Sequence, residues 1–269
     1  MAISAADVKR LRDETDAPMM ECKAALEEAG GDFEKAKNIL REKGKAAAAK
    51  RAERSTAEGV VAFAASADAK TVAAVVVECE TDFVAKNEDF VALVQQIADL
   101  VRDTGQTSSE DSRIKELVEG AVAKIRENIK LSKAQIFTSD FPIATYVHHD
   151  RKSGSVILSE GENAGSEAVR KVAVHAAWSR PEFISKDELS QEKLDAEIEL
   201  ETQRAIKEGK DEKIARNIAQ GRVNKEYIKQ VVLMEQPFYA DQSKSVGQYL
   251  SEEAKGAKIT SFAFFGVGQ

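Results

Sequence analysis

Residues 59–87 have the sequence GVVAFAASADAKTVAAVVVECETDFVAKN, and this stretch sets the class of fold. Val60 to Phe63 and Thr71 to Val77 are apolar runs rich in β-branched residues, and a polar segment, 66–70, lies between them. Runs of this kind with a turn between them are typical of two strands paired as a hairpin. The residues before Gly59 show helical spacing instead, so the periodicity changes at this point.

Two amphipathic helices are predicted to follow the hairpin and to pack on its sheet. Each carries apolar residues at spacings of three and four, which place them on one face of a helix. The first stripe consists of Phe90, Leu93, Val94, Ile97 and Val101, and the second of Ile114, Leu117, Val118, Ala121, Val122, Ile125 and Ile129. Hairpin and helices together predict an α+β core subdomain over residues 59–140.

A similar order of elements recurs later in the chain. Strands are predicted at residues 143–148 and 155–159, and a helix with an apolar face follows around Val169 to Ala176. A short helix near 246–250 and a strand over 259–265 complete the set. We therefore expect a second, related α+β core subdomain formed by residues 141–186 and 233–269.

The N-terminal residues 1–44 predict a module of three short helices. Ser4 and Asp7 have the spacing of a capping box at the first helix, and Gly44 is expected to end the third. Residues 45–58 are rich in Ala, Lys and Arg and contain no large apolar residue. This composition predicts a partly helical linker between the module and the core.

Residues 187–232 interrupt the second subdomain. They are highly charged, and their apolar positions are sparse on both sides of Glu208-Gly209-Lys210. Two helices with thin apolar stripes and a short polar connection predict a protruding antiparallel hairpin.

Composition restricts the partners and the compartment. Lys and Arg number 39 against 46 Asp and Glu, and the formal charge of -7 disfavours nucleic acid as a direct partner. Cys22 and Cys79 lack CxxC spacing, so we expect reduced, packed cysteines rather than a disulfide or a metal site. The N-terminus lacks the pattern of a secretory leader, and no apolar stretch approaches the roughly 20 residues that span a bilayer. We expect a soluble, cytoplasmic protein.

The sequence shows none of the common catalytic motifs. It contains no P-loop, no GxGxxG and no GxSxG. His148 and His149 are adjacent, so on a strand they would point to opposite faces and could not hold one metal ion. His175 lies among apolar residues of a predicted helix and is expected to be packed and hydrogen-bonded. We predict a protein that is not an enzyme, has no cofactor and binds no metal.

Two short stretches place side chains where packing does not explain them. Met19 and Met20 begin a helix, and because adjacent residues cannot both face one core, at least one is expected at the surface. Thr81-Asp82-Phe83 follows the second strand at a corner, where proteins often mount functional side chains on a rigid scaffold. The local pattern leaves an alternative open, in which Thr81 or Asp82 caps a helix and Phe83 packs inward.

Longer motifs carry a resemblance to a known family. Leu11 to Leu26 follow the pattern LRxxTxAxMMxCKxAL, and Glu78 to Lys86 have the sequence ECETDFVAK. Further motifs are Glu127-Asn128-Ile129, Tyr146-Val147-His148, Arg180-Pro181-Glu182-Phe183 and Gln236-Pro237-Phe238. In this order, over nearly the whole chain, they resemble the bacterial elongation factor Ts family.

The resemblance implies both an architecture and a function. Residues 1–44 would form a ubiquitin-associated-like (UBA-like) module, and residues 187–232 a coiled-coil dimerisation hairpin. Members of this family bind elongation factor Tu, GDP-bound or nucleotide-free, and promote GDP release so that GTP is loaded during translation elongation. A homodimer or heterotetramer would form through the hairpin. The alternative is a UBA-like adaptor that tethers partners without exchange activity.

The resemblance also implies the partner-binding residues. The helical module is expected to contact a helix of the partner's GTPase domain through Lys9, Arg12, Met19 and Met20, and Ile125 and His148 are expected to help hold the same domain. Asp82 and Phe83 are expected to intrude beside its magnesium and phosphate site, and the segment around Phe238 and Tyr239 is expected to approach the far domain of the partner. The full set is Lys9, Arg12, Met19, Met20, Thr81, Asp82, Phe83, Val84, Ile125, His148, Phe238 and Tyr239. Arg126 stands where a glycine is common in the family, and His149 and Asp150 stand where small residues often follow the histidine.

Overall fold

A computed structural model describes residues 3–15 and 17–269, and within them helices and strands are mixed, as the predicted fold class requires. The chain divides into two compact units. The first contains the described residues up to 64 together with 73–136 and 266–269, and the second contains 65–72 and 137–265. The finer division into five segments stays a prediction.

The elements follow the chain in the predicted order, with several additions. The helices are α1 (Ala5–Thr15), α2 (Met19–Glu28), α3 (Phe33–Arg51), α4 (Asp82–Ala85), α5 (Glu88–Thr104), α6 (Ser112–Ile125), α7 (Glu167–Ser179), α8 (Gln191–Lys207), α9 (Glu212–Arg222), α10 (Ile228–Val231) and α11 (Val246–Glu253). The strands are β1 (Glu58–Ala65), β2 (Thr71–Cys79), β3 (Lys130–Thr138), β4 (Ala144–Val147), β5 (Ser153–Glu160), β6 (Pro237–Phe238), β7 (Asp241–Ser245) and β8 (Lys258–Gly266). They form sheets in the orders β1-β2-β3, β4-β5-β8 and β6-β7.

The core of the first unit lies between the β1-β2-β3 sheet and the two long helices α5 and α6. Val75, Phe90 and Ile97 are fully buried in one apolar cluster with the inward face of α6. The predicted hairpin and both amphipathic helices are therefore confirmed. Removing this apolar surface from water at about 25 cal/mol per Å² is the main force that holds the helices on the sheet.

Strand β3 lies outside the predicted elements, and the placement of Ile129 in the helix before it is wrong. α6 ends at Ile125 because Arg126 takes up a left-handed conformation, φ 68°. Ile129 still lies in the same core, but as the residue before β3. The strand escaped prediction because it is at the edge of the sheet and most of its side chains are wholly or partly exposed, so its hydrophobic alternation is weak.

The N-terminal helices α1 to α3 share a small core of their own, which includes Leu11 and Leu26. Ser4 and Asp7 cap α1 reciprocally, as predicted: Asp7 N donates to Ser4 Oγ at 3.1 Å, and Ser4 N donates to Asp7 Oδ2 at 3.3 Å. The expectation that Gly44 ends the third helix is wrong, since α3 continues to Arg51. A Cβ at Gly44 would lie 3.3 Å from Ala123 Cβ of α6, so this glycine permits close helix approach.

The second unit buries α7 and α11 against the β4-β5-β8 sheet. Ile157, Val172, Leu233 and Phe238 belong to its apolar cluster. Residues 187–232 form helices α8 and α9 joined by a short connection, and Arg222 of α9 bonds Glu208 beyond the end of α8 at 2.8 Å. Across the residues that the structure describes, no helix has both the length and the apolar character to cross a membrane.

Candidate functional site

The corner between β2 and α5 presents an aromatic side chain to solvent. Thr81 caps the single-turn helix α4, and its Oγ1 accepts from Val84 N at 3.4 Å. Phe83 is 83 % exposed, so it does not pack inward. The alternative that the sequence left open combined a helix cap with an inward Phe83: capping by Thr81 is confirmed, and an inward Phe83 is wrong. Asp82 forms an ion pair with Lys86 at 2.6 Å.

The corner is fixed by the segment that follows α6. Glu127 Oε2 accepts hydrogen bonds from the backbone nitrogens of Glu80 and Thr81, both at 3.0 Å, and Thr81 Oγ1 donates to Glu127 Oε1 at 2.5 Å. Asn128 N donates to Glu80 Oε1 at 2.6 Å, and Asn128 Nδ2 donates to Arg54 O at 2.7 Å. These bonds hold Phe83 on a rigid support although its own ring lies in water.

Arg126 allows the chain to turn sharply from α6 to Glu127. Its left-handed backbone costs a non-glycine residue roughly 1–2 kcal/mol, which is consistent with the glycine expected here. The Arg126 guanidinium forms an ion pair with Glu21 on α2, so the departure from glycine adds a link between the N-terminal helices and α6.

The predicted binding residues of α1 and α2 lie at the surface. Lys9 and Arg12 are exposed, and Met19 and Met20 are 49 % and 73 % exposed. The expectation that at least one methionine reaches the surface is confirmed, and both do. Ile125 is half-buried and lines a hollow of about 640 Å³ between α5 and α6.

His148 lies directly after β4 in the second unit. Its Nδ1 is 2.9 Å from Tyr146 Oη, and it is partly exposed. The expectation that His148 and His149 point to opposite faces is wrong, because β4 ends at Val147 and their ring centroids are 4.2 Å apart in the turn that follows.

Among residues 3–15 and 17–269, no cluster of three or more His, Cys, Asp or Glu side chains could hold a metal ion.

Two neighbouring side chains of the expected partner-binding set, Phe238 at the end of β6 and Tyr239 directly after it, have different environments. Phe238 is 2 % exposed and stacks on Tyr249 with ring centroids 4.0 Å apart, so its side chain belongs to the core and offers no contact surface. The prediction that Phe238 contacts a partner is therefore corrected. Tyr239 is 40 % exposed and remains accessible.

Buried His175 supports Tyr239. Tyr239 N donates to His175 Nδ1 at 3.2 Å, which leaves the proton on Nε2, 2.9 Å from Gln236 Oε1. Burial lowers the pKa of His175, which favours this neutral form. The expectation of a packed, hydrogen-bonded histidine is confirmed.

The two cysteines are also structural. Cys22 and Cys79 are free and fully buried, in agreement with the sequence analysis. Burial raises the pKa of the Cys79 thiol to about 12, so it is neutral at physiological pH and is a poor nucleophile and metal ligand.

Comparison with known proteins assigns the chain to a family. A family model described as Elongation factor TS matches residues 80–269. The chain belongs to the elongation factor Ts family. Elongation factor Ts of Acidithiobacillus ferrooxidans is 42 % identical over 274 residues, covering 100 % of this chain and 93 % of that protein. Elongation factor Ts of Aquifex aeolicus is 37 % identical over 287 residues, covering 100 % and 99 % respectively.

In this member of the elongation factor Ts family, the structural role of Glu127 was not among the features predicted from the sequence. The Glu127-Asn128 pair was noted only as a motif. An acid and an amide directly after a helix end, with a strand beyond them, are well placed to bond exposed backbone groups of a neighbouring turn. That local signal did not say which turn, because the contact spans 46 residues from Thr81.

Proposed function

We propose that this chain is a guanine-nucleotide exchange factor that binds elongation factor Tu and promotes release of its GDP. The observation that carries the proposal is Phe83, a large apolar side chain held 83 % exposed on a corner braced by Glu127. Its exposure contributes nothing to folding, whereas a pre-organised aromatic is well suited to enter a partner.

Exchange needs no reactive group. A factor that binds the nucleotide-free GTPase more tightly than the nucleotide-bound form must, by linkage, weaken nucleotide binding by the same factor. Phe83 and Asp82 would act beside the magnesium and phosphate site of elongation factor Tu, where displacing the surrounding helices removes charge stabilisation from the phosphates. Thr81 and Val84 would hold this corner in position.

The other predicted residues would supply docking. Lys9, Arg12, Met19 and Met20 are all exposed on α1 and α2, which supports a recruiting role for this module, proposed to be UBA-like. Ile125, His148 and Tyr239 would add contacts from the two core subdomains. We further propose that α8 and α9 form a coiled-coil dimerisation hairpin and that the protein acts in the cytoplasm, without direct contact to nucleic acid.

Release of a fluorescent GDP analogue from bacterial elongation factor Tu tests the proposal. The chain, at a concentration well below that of elongation factor Tu, should accelerate release in the presence of excess unlabelled GTP. A variant with Phe83→Ala serves as the matched control and should accelerate it much less. Tight binding without any acceleration would instead identify the tethering adaptor.

A further inference from the structure

The single tryptophan of the chain lies almost wholly in water. Trp178 is 75 % exposed near the end of α7, whereas the preceding Ala176 and Ala177 are 1 % and 7 % exposed. Tryptophan is highly buried on average and is enriched among the residues that dominate the binding energy of protein interfaces. Its exposure therefore points to a contact that forms only in a complex.

Trp178 stands between two hollows of about 470 and 410 Å³. Tyr146 and His148 line the first, and Pro237 and Lys229 line the second. Trp178, Tyr239 and Gln242 line both hollows, so these side chains lie where the hollows meet, and we call the two exposed rings, Trp178 and Tyr239, the aromatic ridge.

The ridge is held from below by buried groups. The His175 ring lies 6.5 Å from the Trp178 ring and 6.3 Å from the Tyr239 ring, centroid to centroid. Ser179 Oγ, one residue after Trp178, donates to Gln236 Oε1 at 2.8 Å. A rigid aromatic ridge loses little conformational freedom when it binds.

The charge of this surface is opposite to that of the whole chain. Arg180 and Lys229 line the hollows, and no Asp or Glu is among the residues that line either one. The chain as a whole carries -7. A partner that accepts the ridge would therefore gain from carboxylates around an apolar depression.

We propose that Trp178 anchors this surface to elongation factor Tu, with its indole entering an apolar depression rimmed by carboxylates. The inference rests on the proposed function. Elongation factor Tu, the partner in the proposed function, is the favoured occupant because two of the proposed docking residues lie on this surface: Tyr239 lines both hollows and His148 lines the first. Trp178 joins these separate contacts into one continuous interface.

A fluorine label on the tryptophan tests this assignment in the full-length chain. Because Trp178 is the only tryptophan, incorporation of 5-fluorotryptophan gives one ¹⁹F resonance, and unlabelled elongation factor Tu adds none. Saturation with nucleotide-free elongation factor Tu should shift and broaden this resonance and reduce its solvent isotope shift between H₂O and D₂O. GDP release measured on the same labelled sample reports whether exchange takes place.

Substitution of Trp178 measures how much its side chain contributes to the binding free energy. Trp178→Ser should weaken binding to elongation factor Tu by about 30-fold or more, which corresponds to about 2 kcal/mol, with an unchanged melting temperature. The matched control is Phe141→Ser, since Phe141 is an exposed aromatic of the same unit that lines neither hollow, and its affinity should stay within about threefold.

The outcomes separate this inference from the proposed function. Normal exchange with an unperturbed resonance and an unaltered affinity of Trp178→Ser would overturn the proposed role of Trp178 and leave the proposed exchange function intact. A resonance that shifts with the concentration of the chain by itself, and not with elongation factor Tu, would assign the ridge to a second copy and also overturn it. Absence of any binding by the wild-type chain would overturn both.

Discussion

Phe83 and Phe90 are close in sequence and opposite in environment, 83 % and 0 % exposed. Phe83→Ala removes a side chain that lies in water, so the free energy of unfolding should change by less than about 0.5 kcal/mol. Phe90→Ala leaves a cavity in the core and should cost about 3–5 kcal/mol. If Phe83 acts beside the magnesium and phosphate site of elongation factor Tu, only its removal should slow stimulated GDP release per folded molecule.

Denaturant titration and stopped-flow GDP release, run on both variants, measure these effects. A Phe83→Ala protein that is destabilised by several kcal/mol yet exchanges normally would make Phe83 a core residue.

Asp82→Ala extends the comparison to the neighbouring acidic residue. Because Thr81 is the capping residue, loss of Asp82 should cost little stability, and any slowing of release then belongs to contact with elongation factor Tu.

His175 gives the second unit a dependence of stability on pH. Burial lowers its pKa, so the unfolded chain, with a histidine pKa of about 6.5, takes up the proton first as the pH falls. The stabilising effect of neutral His175 is complete above about pH 6.5 and is lost as the pH falls from there towards its lower folded pKa. Protonation of Nδ1 would also remove the acceptor for Tyr239 N.

Urea unfolding between about pH 7.5 and pH 5 measures this effect in wild type and in His175→Gln. The wild type should lose unfolding free energy more steeply on acidification than the variant, which has no imidazole to protonate. Equal slopes would mean that other groups account for the whole pH dependence.

At the scale of elements, the β2-α4 corner depends on a residue from a distant segment. Glu127→Ala removes the acceptor of three hydrogen bonds from Glu80 and Thr81 and should cost about 1–3 kcal/mol. Glu127→Gln should be milder, because its amide oxygen can still accept from the backbone and the Thr81 hydroxyl can reverse its role. The expected order of stimulated release is wild type, then Gln, then Ala.

Amide hydrogen exchange at Thr81 to Ala85 provides the structural readout. Protection there should fall in Glu127→Ala while the amides of α5 keep theirs, since the core of that helix is unaltered. Wild-type protection and wild-type exchange in Glu127→Ala would show that the corner holds its conformation without this carboxylate.

Periodicity predicted those elements whose environment differs between two faces. α5 carries a continuous apolar stripe, and β1 and β2 are largely buried, so their hydrophobic patterns follow directly from packing. Edge strand β3 lacks such a contrast. The prediction for Gly44 is wrong because a glycine can either end a helix or permit close packing of two helices, and the local sequence does not distinguish these roles. Only the position of Ala123 on α6 shows that Gly44 has the second role.

The candidate site was predictable in its residues but not in its geometry. The family motifs indicate Thr81 to Val84, His148 and the segment after Gln236. They do not say that Phe238 turns inward while Tyr239 stays accessible, because both are aromatic and adjacent. Phe238 is buried against Tyr249 of α11, and the backbone of Tyr239 is held by His175 of α7, so both environments depend on other elements.

At the scale of the whole molecule, the charged hairpin of α8 and α9 exposes large apolar side chains that do not contribute to its own core. Leu200, Ile206 and Ile214 are 62 %, 38 % and 55 % exposed, whereas the small residues Ala205 and Ala219 are fully buried. The hairpin thus fills its own interior with alanines and leaves larger aliphatic groups at its surface. Such groups are suited to a modest self-association surface.

Leu200→Ser combined with Ile214→Ser should therefore shift the full-length chain from dimer to monomer in sedimentation velocity, or in its complex with elongation factor Tu from a heterotetramer to a heterodimer. Both side chains are exposed, so the melting temperature of the monomer should hardly change, and stimulated GDP release should persist. Glu199→Ser, a neighbouring exposed polar position, controls for the loss of side-chain bulk without loss of apolar surface. If the wild-type chain and its complex sediment as monomer and heterodimer at all concentrations, the hairpin has another role. If the double variant still dimerises, association runs through a different surface.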